Sequence, residues 1–257
     1  MINILLLIME MRKHTFVHGT FYLLGKNNFN ELVTSHEQHV QSFHGYGGNF
    51  IKKAGYSPDA YAQMAIQLAV YRLHGTQVGT YEATQMRPFL HGRTETTRTV
   101  SPESAKFVQT MGMMPNFNDT SSNMEKKQSL LKDAVGSHVK YIVNAGKGGR
   151  VDRHFFGLSM LADEKDTVPS LYSDPLFNRA KTWRVSTSHL THPKIENWGF
   201  GEVVPDGLGV GYAVKADCCV FNITARKENN WTEKFSHLLE EALLEMQTLD
   251  VVAQSKL

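Results

Sequence analysis

Thr80-Tyr81-Glu82 is followed closely by Leu90-His91-Gly92-Arg93-Thr94-Glu95-Thr96-Thr97-Arg98. Further along stand Asp152-Arg153-His154, Ser186-Thr187-Ser188 and Pro205-Asp206-Gly207-Leu208-Gly209-Val210-Gly211-Tyr212. Around these motifs the chain mixes two periodicities. Arg184 to Ser188, Val210 to Val214 and Cys219 to Thr224 alternate as strands do. Ser57-Pro58-Asp59 gives an N-cap followed by proline at the first helical position. From there Ala60 to His74 runs apolar at Met64, Ala65, Leu68 and Tyr71 until Gly75 closes it. Apolar positions spread around most of that circumference, which predicts a central, buried helix.

Ser101-Pro102-Glu103 opens a second helix by the same chemistry, and Gly112 to Asn123, rich in Asn, Ser and Pro, reads as a loop. Met124 to Val143 reads as a third helix, with Leu130, Leu131, Ala134 and Val135 inward. Trp231 to Leu249 follows as a long amphipathic helix, burying Phe235, Leu238, Leu239, Ala242, Met246 and Leu249. Asn27 to His44 is expected to be helical, carrying Phe29, Leu32 and Val33 on one side. Strands and helices without strict βαβ alternation predict an α/β (α+β) fold, a mixed sheet covered by helices, with Gly45 to Leu249 as the body of one domain.

At 257 residues the chain can bury a real core, and 41% hydrophobic with 20% charged residues is an ordinary globular composition. A net charge of +2, with no basic run interleaved with aromatics, argues against a nucleic-acid partner. Cys218 and Cys219 are neighbours and cannot staple distant segments, so both are expected as buried thiols in a strand. Ile2 to Met9 is apolar, but about eight residues cannot cross a bilayer that needs about 20, so no transmembrane segment is expected. The last three residues, Ser255-Lys256-Leu257, spell a receptor-read peroxisomal address. A peroxisomal location with an import receptor as partner is therefore expected, the mitochondrion being the other candidate.

Several familiar chemistries fail on spacing. The glycines of Asp206 to Gly211 do not make G-x-G-x-x-G and lead into a strand, so a tight turn feeding a strand is the better reading. His36 with His39, or His189 with His192, are i, i+3 pairs lacking a third ligand, and no metal site is expected from them. No G-x-S-x-G elbow exists and neither cysteine has a histidine partner in sequence, which leaves no covalent nucleophile. What remains is a set of hydroxyls and cations. Tyr81, Thr94 and Arg153 have the right groups to bind one carboxylate, through a bidentate guanidinium and single hydroxyl bonds. By composition alone each reads as structural: Tyr81 as a core aromatic, Thr94 as a turn cap and Arg153 as a helix-end cation.

In order and spacing the motifs resemble the C-terminal half of the carnitine/choline acyltransferase family. The resemblance covers roughly Phe29 to the C-terminus (domain 29–257, leaving residues 1–28 outside it) and about half of a family member. It implies a chloramphenicol-acetyltransferase-like fold and transfer of an acyl group, acetyl by preference, between coenzyme A and carnitine. By the resemblance Tyr81, Thr94 and Arg153 hold the carnitine carboxylate, Ser186 lies beside the carnitine, and Ser188 meets the developing oxyanion. Phe200 flanks the trimethylammonium, and Trp198 floors the acyl pocket, with Gly199 as the alternative floor. Lys52 and Lys53 meet the phosphates of coenzyme A (acetyl-CoA as co-substrate), and Asp59 contacts it. No permanently bound cofactor is implied.

The sequence also departs from the family. The family's Tyr-Gly-Lys reads Tyr46-Gly47-Gly48, the glutamine after Ser-Thr-Ser is His189, and the arginine after the helix histidine is Val139. The family's base is a histidine in a His-x-x-x-Asp context. None of the 12 histidines here has an aspartate four residues on; His91, His192 and His237 have glutamates. A truncated acyltransferase without its base is therefore expected. A non-catalytic module that binds carnitine or coenzyme A, or that completes a partner half, is the alternative.

Overall fold

The computed structural model describes residues 25–162 and 168–254. Ile2 to Met9 and Ser255-Lys256-Leu257 lie outside the described residues. The chain divides into two compact units, Met1–Glu37 and Gln38–Leu257. In the first, residues 25–35 form a helix, α1, on which Phe29, Leu32 and Val33 are exposed. That helix stops short of the expectation for Asn27 to His44, because His36–Phe43 is a strand, β1. The period changes there from 3.6 to 2: Gln41 and Phe43 are buried while Val40 and Ser42 are exposed.

The second unit continues with helices α2 (Gly48–Lys53) and α3 (Pro58–His74), then strands β2 (Thr80–Gln85) and β3 (Thr94–Arg98). Helices α4 (Pro102–Met111), α5 (Ser121–Gly146), α6 (Asp152–Leu161) and α7 (Pro175–Ala180) follow. The last elements are β4 (Val185–His189), β5 (Leu208–Val214), β6 (Cys219–Arg226) and α8 (Thr232–Gln254). The six-stranded sheet has the order β1-β6-β5-β4-β2-β3. Strands β2, β4 and β5 are parallel, while β3 runs antiparallel to β2 and β6 to β5, giving the mixed sheet expected.

Helix α3 is the hub. Ser57 caps it, accepting a hydrogen bond from Ala60 N, and Gly75 ends it at φ +72°, a conformation that costs glycine little. Its side chains from Ala60 to Val70 are all buried, packed with Val185, Leu208, Val210, Phe221, Leu239 and Leu243 in one core. The all-round apolar pattern follows from that position. On α5, Leu131, Ala134 and Val135 face inward as expected, with Leu130 half-buried beside them. The cysteines differ from expectation in one respect: Cys219 is buried in β6, but Cys218 precedes the strand and is half-buried. Both are free thiols. Among the described residues no helix is long and apolar enough to cross a membrane.

Candidate active site

Cross-strand register decides which side chains share a face. Tyr81 lies opposite Arg98 on one side and Ser186 on the other; Ser186 is opposite Gly209, and Ser188 opposite Gly211. Alternation puts Tyr81, Ser186, Ser188, Gly209 and Gly211 on one face. Thr187 faces the other way, donating to Tyr81 O at 2.8 Å and accepting from Gln63 Nε2 at 2.8 Å.

Arg153 reaches that first face from the first turn of α6. The turn is anchored by Arg98, whose guanidinium binds both oxygens of Asp152 at 3.1 and 2.6 Å and packs over Trp183. Arg153 Nη2 donates to the Tyr81 hydroxyl at 2.8 Å and to Thr94 Oγ1 at 3.4 Å; its Nε donates to Thr94 O at 3.2 Å. The three residues read from sequence as a carboxylate site thus converge, from β2, β3 and α6. Arg153 and Thr94 are exposed and Tyr81 half-buried, so the group is open to a ligand.

Phe200 and Trp198 stack on each other, with centroids 5.6 Å apart. Their backbone runs against β5. A Cβ on Gly209 would come within 2.6 Å of Phe200 O, and one on Gly211 within 2.8 Å of Trp198 O. The alternating glycines of Gly207 to Gly211 thus do more than turn the chain, a purpose invisible in the sequence because the crossing segment is contributed from elsewhere. Gly199 presses on Asn222, where a Cβ would meet Oδ1 at 2.2 Å.

Beside the carboxylate group opens a cleft of ≈ 620 Å³ lined by Ser188, Thr94, Asp59, Glu82, His189 and Thr191, among others. Lys52 and Lys53 are exposed in the last turn of α2 and do not line this cleft, nor do Trp198 and Phe200. Asp59 belongs to a buried polar cluster. Its Oδ1 accepts from the Tyr212 hydroxyl at 2.7 Å and lies 3.1 Å from His189 Nδ1. His138 Nε2 stands 2.9 Å from Glu82 Oε2 and 3.9 Å from Asp59 Oδ2. His189 stacks on Tyr212 and is held at Nε2 by Thr191 Oγ1 at 2.8 Å.

Burial alone would push the His138 imidazole down, but the Asp59 and Glu82 carboxylates outweigh it and hold it up at about 9. Burial and the neighbouring Asp59 charge raise Glu82, with His138 opposing. Burial would also raise Asp59, yet His138, His189 and Tyr212 hold it well below the usual carboxylate range. Sequence reasoning missed Glu82, His138, His189 and Tyr212 as members of this cluster. Only Asp59, in the first turn of α3, carried a signal, through the resemblance.

The chain resembles several characterised proteins. It is 39% identical over 196 residues to the mitochondrial carnitine O-acetyltransferase of Saccharomyces cerevisiae, covering 76% of this chain and 28% of that protein. It is 34% identical over 233 residues to choline O-acetyltransferase of Danio rerio, covering 90% of this chain and 36% of that one. It thus spans about a third of the length of these relatives. A solved chloramphenicol acetyltransferase aligns at TM-score 0.37 and 11% identity over 81% of this chain and 88% of that one. Residues 24–241 match the description Choline/Carnitine o-acyltransferase, and the chain belongs to that family.

Proposed function

We propose that this chain forms the carnitine-binding and oxyanion-stabilising part of a carnitine O-acetyltransferase. The convergence of Arg153, Tyr81 and Thr94 carries the reading: a guanidinium flanked by two hydroxyls suits the carboxylate that carnitine has and choline lacks. In the proposed reaction the carnitine hydroxyl attacks the thioester carbonyl of acetyl-CoA, a base takes the hydroxyl proton, and the coenzyme A thiolate leaves and is protonated. Ser188 donates to the carbonyl oxygen as it becomes an oxyanion, stabilising charge that exists only in the transition state. Ser186 flanks the bound carnitine, and Phe200 offers its ring to the trimethylammonium.

Lys52 and Lys53, exposed at the end of α2, suit the phosphates of coenzyme A, and Asp59 presents its one-fifth exposed side chain to the same co-substrate. Trp198 fills the end of the acyl pocket and restricts it to short chains. The base is a histidine supplied from outside these 257 residues. Peroxisomal import through Ser255, Lys256 and Leu257 completes the reading.

Calorimetry with the purified chain tests this directly. Carnitine binds, choline binds more weakly, and Arg153→Ala weakens carnitine by about 10- to 150-fold, the worth of a charge-assisted pair at about 1.5–3 kcal/mol. An Arg153→Ala chain that is folded and binds carnitine undiminished refutes the assignment. A thiol-release assay on the chain alone is expected to show turnover lower by about 10²–10⁴-fold or more than a base-containing enzyme. Carnitine binding without turnover, even after adding a base-containing N-terminal half, would instead favour the non-catalytic module.

A further inference from the structure

Arg153 also borders a second cavity, of ≈ 150 Å³, whose wall includes neither Tyr81 nor Thr94. It lies between α6, α7 and the turn leading into β4, and Phe155, Tyr172, Phe177 and Trp183 form its apolar side. Phe177 meets Phe155 and Tyr172 edge to face, with centroids 5.6 and 5.7 Å apart. The Tyr172 hydroxyl is spent on Phe155 O at 3.2 Å. The rings thus hold one another in place and give the cavity a preformed wall.

The charges on this wall do not cancel. Asp152 is its one carboxylate, and Arg98 takes both oxygens. Glu95, beside the same turn, spends Oε1 on the backbone amides of Thr96 and Arg153 and not on the guanidinium. Lys181 has no carboxylate partner among the described residues; its Nζ lies 5.1 Å from the Phe177 centroid and 5.9 Å from that of Tyr172. A ring face attracts a cation without neutralising it. Arg153 commits Nε and Nη2 to Tyr81 and Thr94, and its Nη1 has no partner among the described residues. We propose that this cavity binds a small single-ring aromatic carboxylate, its ring against Phe155 and Phe177 and its carboxylate between Lys181 and Arg153.

Size and chemistry select this class. A cavity of about 150 Å³ holds one benzene-sized ring, which excludes a nucleotide. A bare phosphate would meet the cations but leave four aromatic walls facing water. An uncharged ring would fill the walls and leave both cations without a counter-ion. Arg153 makes the site matter to its neighbour. A carboxylate here and one at Tyr81 and Thr94 draw on the same guanidinium and repel each other, so each ligand weakens the other. That coupling rests on the carnitine reading; the aromatic-acid site itself does not.

The test titrates the whole chain with para-fluorobenzoate, followed by fluorine NMR. Saturable binding at one equivalent is expected, with benzamide, which lacks the charge, and acetate, which lacks the ring, weaker by about 10-fold or more. Lys181→Met keeps the stem and removes the charge. It is expected to weaken the probe by about 3–10-fold, less than at a buried pair because Lys181 is exposed. Ser159→Phe, from an exposed position on the wall, puts a ring into the cavity and is expected to abolish binding. Far-UV circular dichroism checks that each variant is folded; if Ser159→Phe is not, Lys181→Met decides. No saturable binding, binding undiminished in the folded variants, or benzamide or acetate equal to the probe overturns the proposal. In a carnitine titration the probe is expected to raise the apparent Kd by about 5-fold or more, to a plateau. A rise without a ceiling places the probe in the carnitine site itself and also overturns it. A chain that binds the probe but not carnitine overturns the carnitine reading and leaves this site standing.

Discussion

The His138 cluster makes stability depend on pH in a window where few other groups titrate. The imidazole titrates near 6.5 in the unfolded chain and at about 9 in the folded one. A group raised by folding contributes stability that is fully present below its unfolded value and lost as pH climbs through the folded one. At about 1.4 kcal/mol per pH unit, the interval from 6.5 to about 9 corresponds to about 3 kcal/mol. The groups facing the ring are Asp59 and Glu82, with His189 and Tyr212 behind them. Asp59 is depressed, so its contribution is lost only below the ordinary carboxylate range, outside this window. Glu82 is raised and acts in the same direction as His138, losing stability as pH rises from its ordinary value. The assay is thermal unfolding in EDTA at half-unit steps from pH 6 to 9.5, on the wild-type chain and on His138→Gln. For a domain of this size, about 3 kcal/mol amounts to a fall in Tm of roughly 6–12 °C. Cys219, pushed by burial up to about 12, adds a decline only above its ordinary value of 9.0. The difference between the two chains therefore isolates the histidine. A wild-type Tm that stays level from pH 6.5 to 9, or an equal decline in His138→Gln, refutes the reasoning.

Glu245 is held in the interior by Arg72, with side chains 1% and 0% exposed, and also meets Lys127 and Asn116 N. Glu245→Ala strands the buried Arg72 guanidinium, while Lys127 keeps Asp119 at 3.0 Å, and is expected to cost about 3–5 kcal/mol, read from urea unfolding; a loss under about 1 kcal/mol would show that water reaches the site. In a full-length enzyme containing this chain, Trp198→Gly is expected to raise kcat/KM for octanoyl- and palmitoyl-CoA relative to acetyl-CoA. A parent enzyme that already prefers palmitoyl-CoA removes the short-chain assignment. Fused to a fluorescent reporter, the last dozen or so residues are expected to give punctate peroxisomal signal, and a diffuse cytosolic signal reduces Ser255-Lys256-Leu257 to coincidence.

The sequence shows the helices most clearly where caps and apolar periodicity agree. Ser57-Pro58 and Gly75 bracket α3 as read, and Ser101 caps α4 through a capping box with Ser104. His36 to Phe43 misled because a short, polar stretch carries too weak a period to separate strand from helix, and the sheet makes the choice. At the site, the Arg153, Tyr81 and Thr94 group was legible through the resemblance, and the structure brings the three within hydrogen-bonding reach. The Asp59, Glu82 and His138 cluster was not. Each looks ordinary in its own element, a capping-turn aspartate, a strand glutamate and an inward helix histidine, and their chemistry exists only once three elements meet.

The glycines of β5 bear on how such a site could change over time. Because Gly209 and Gly211 let the segment carrying Trp198 and Phe200 lie backbone against backbone on the sheet, the path of that segment is set by main-chain fit. The indole at 198 stacks on Phe200 of the same segment. Exchanging residue 198 for a smaller one leaves the backbone contacts with β5 in place, whereas a methyl group at 209 or 211 would collide with the carbonyl oxygens of Phe200 or Trp198. On the proposed acyl-pocket role of Trp198, variation in acyl preference is expected to collect at position 198, with the two glycines acting as the fixed rail on which it slides.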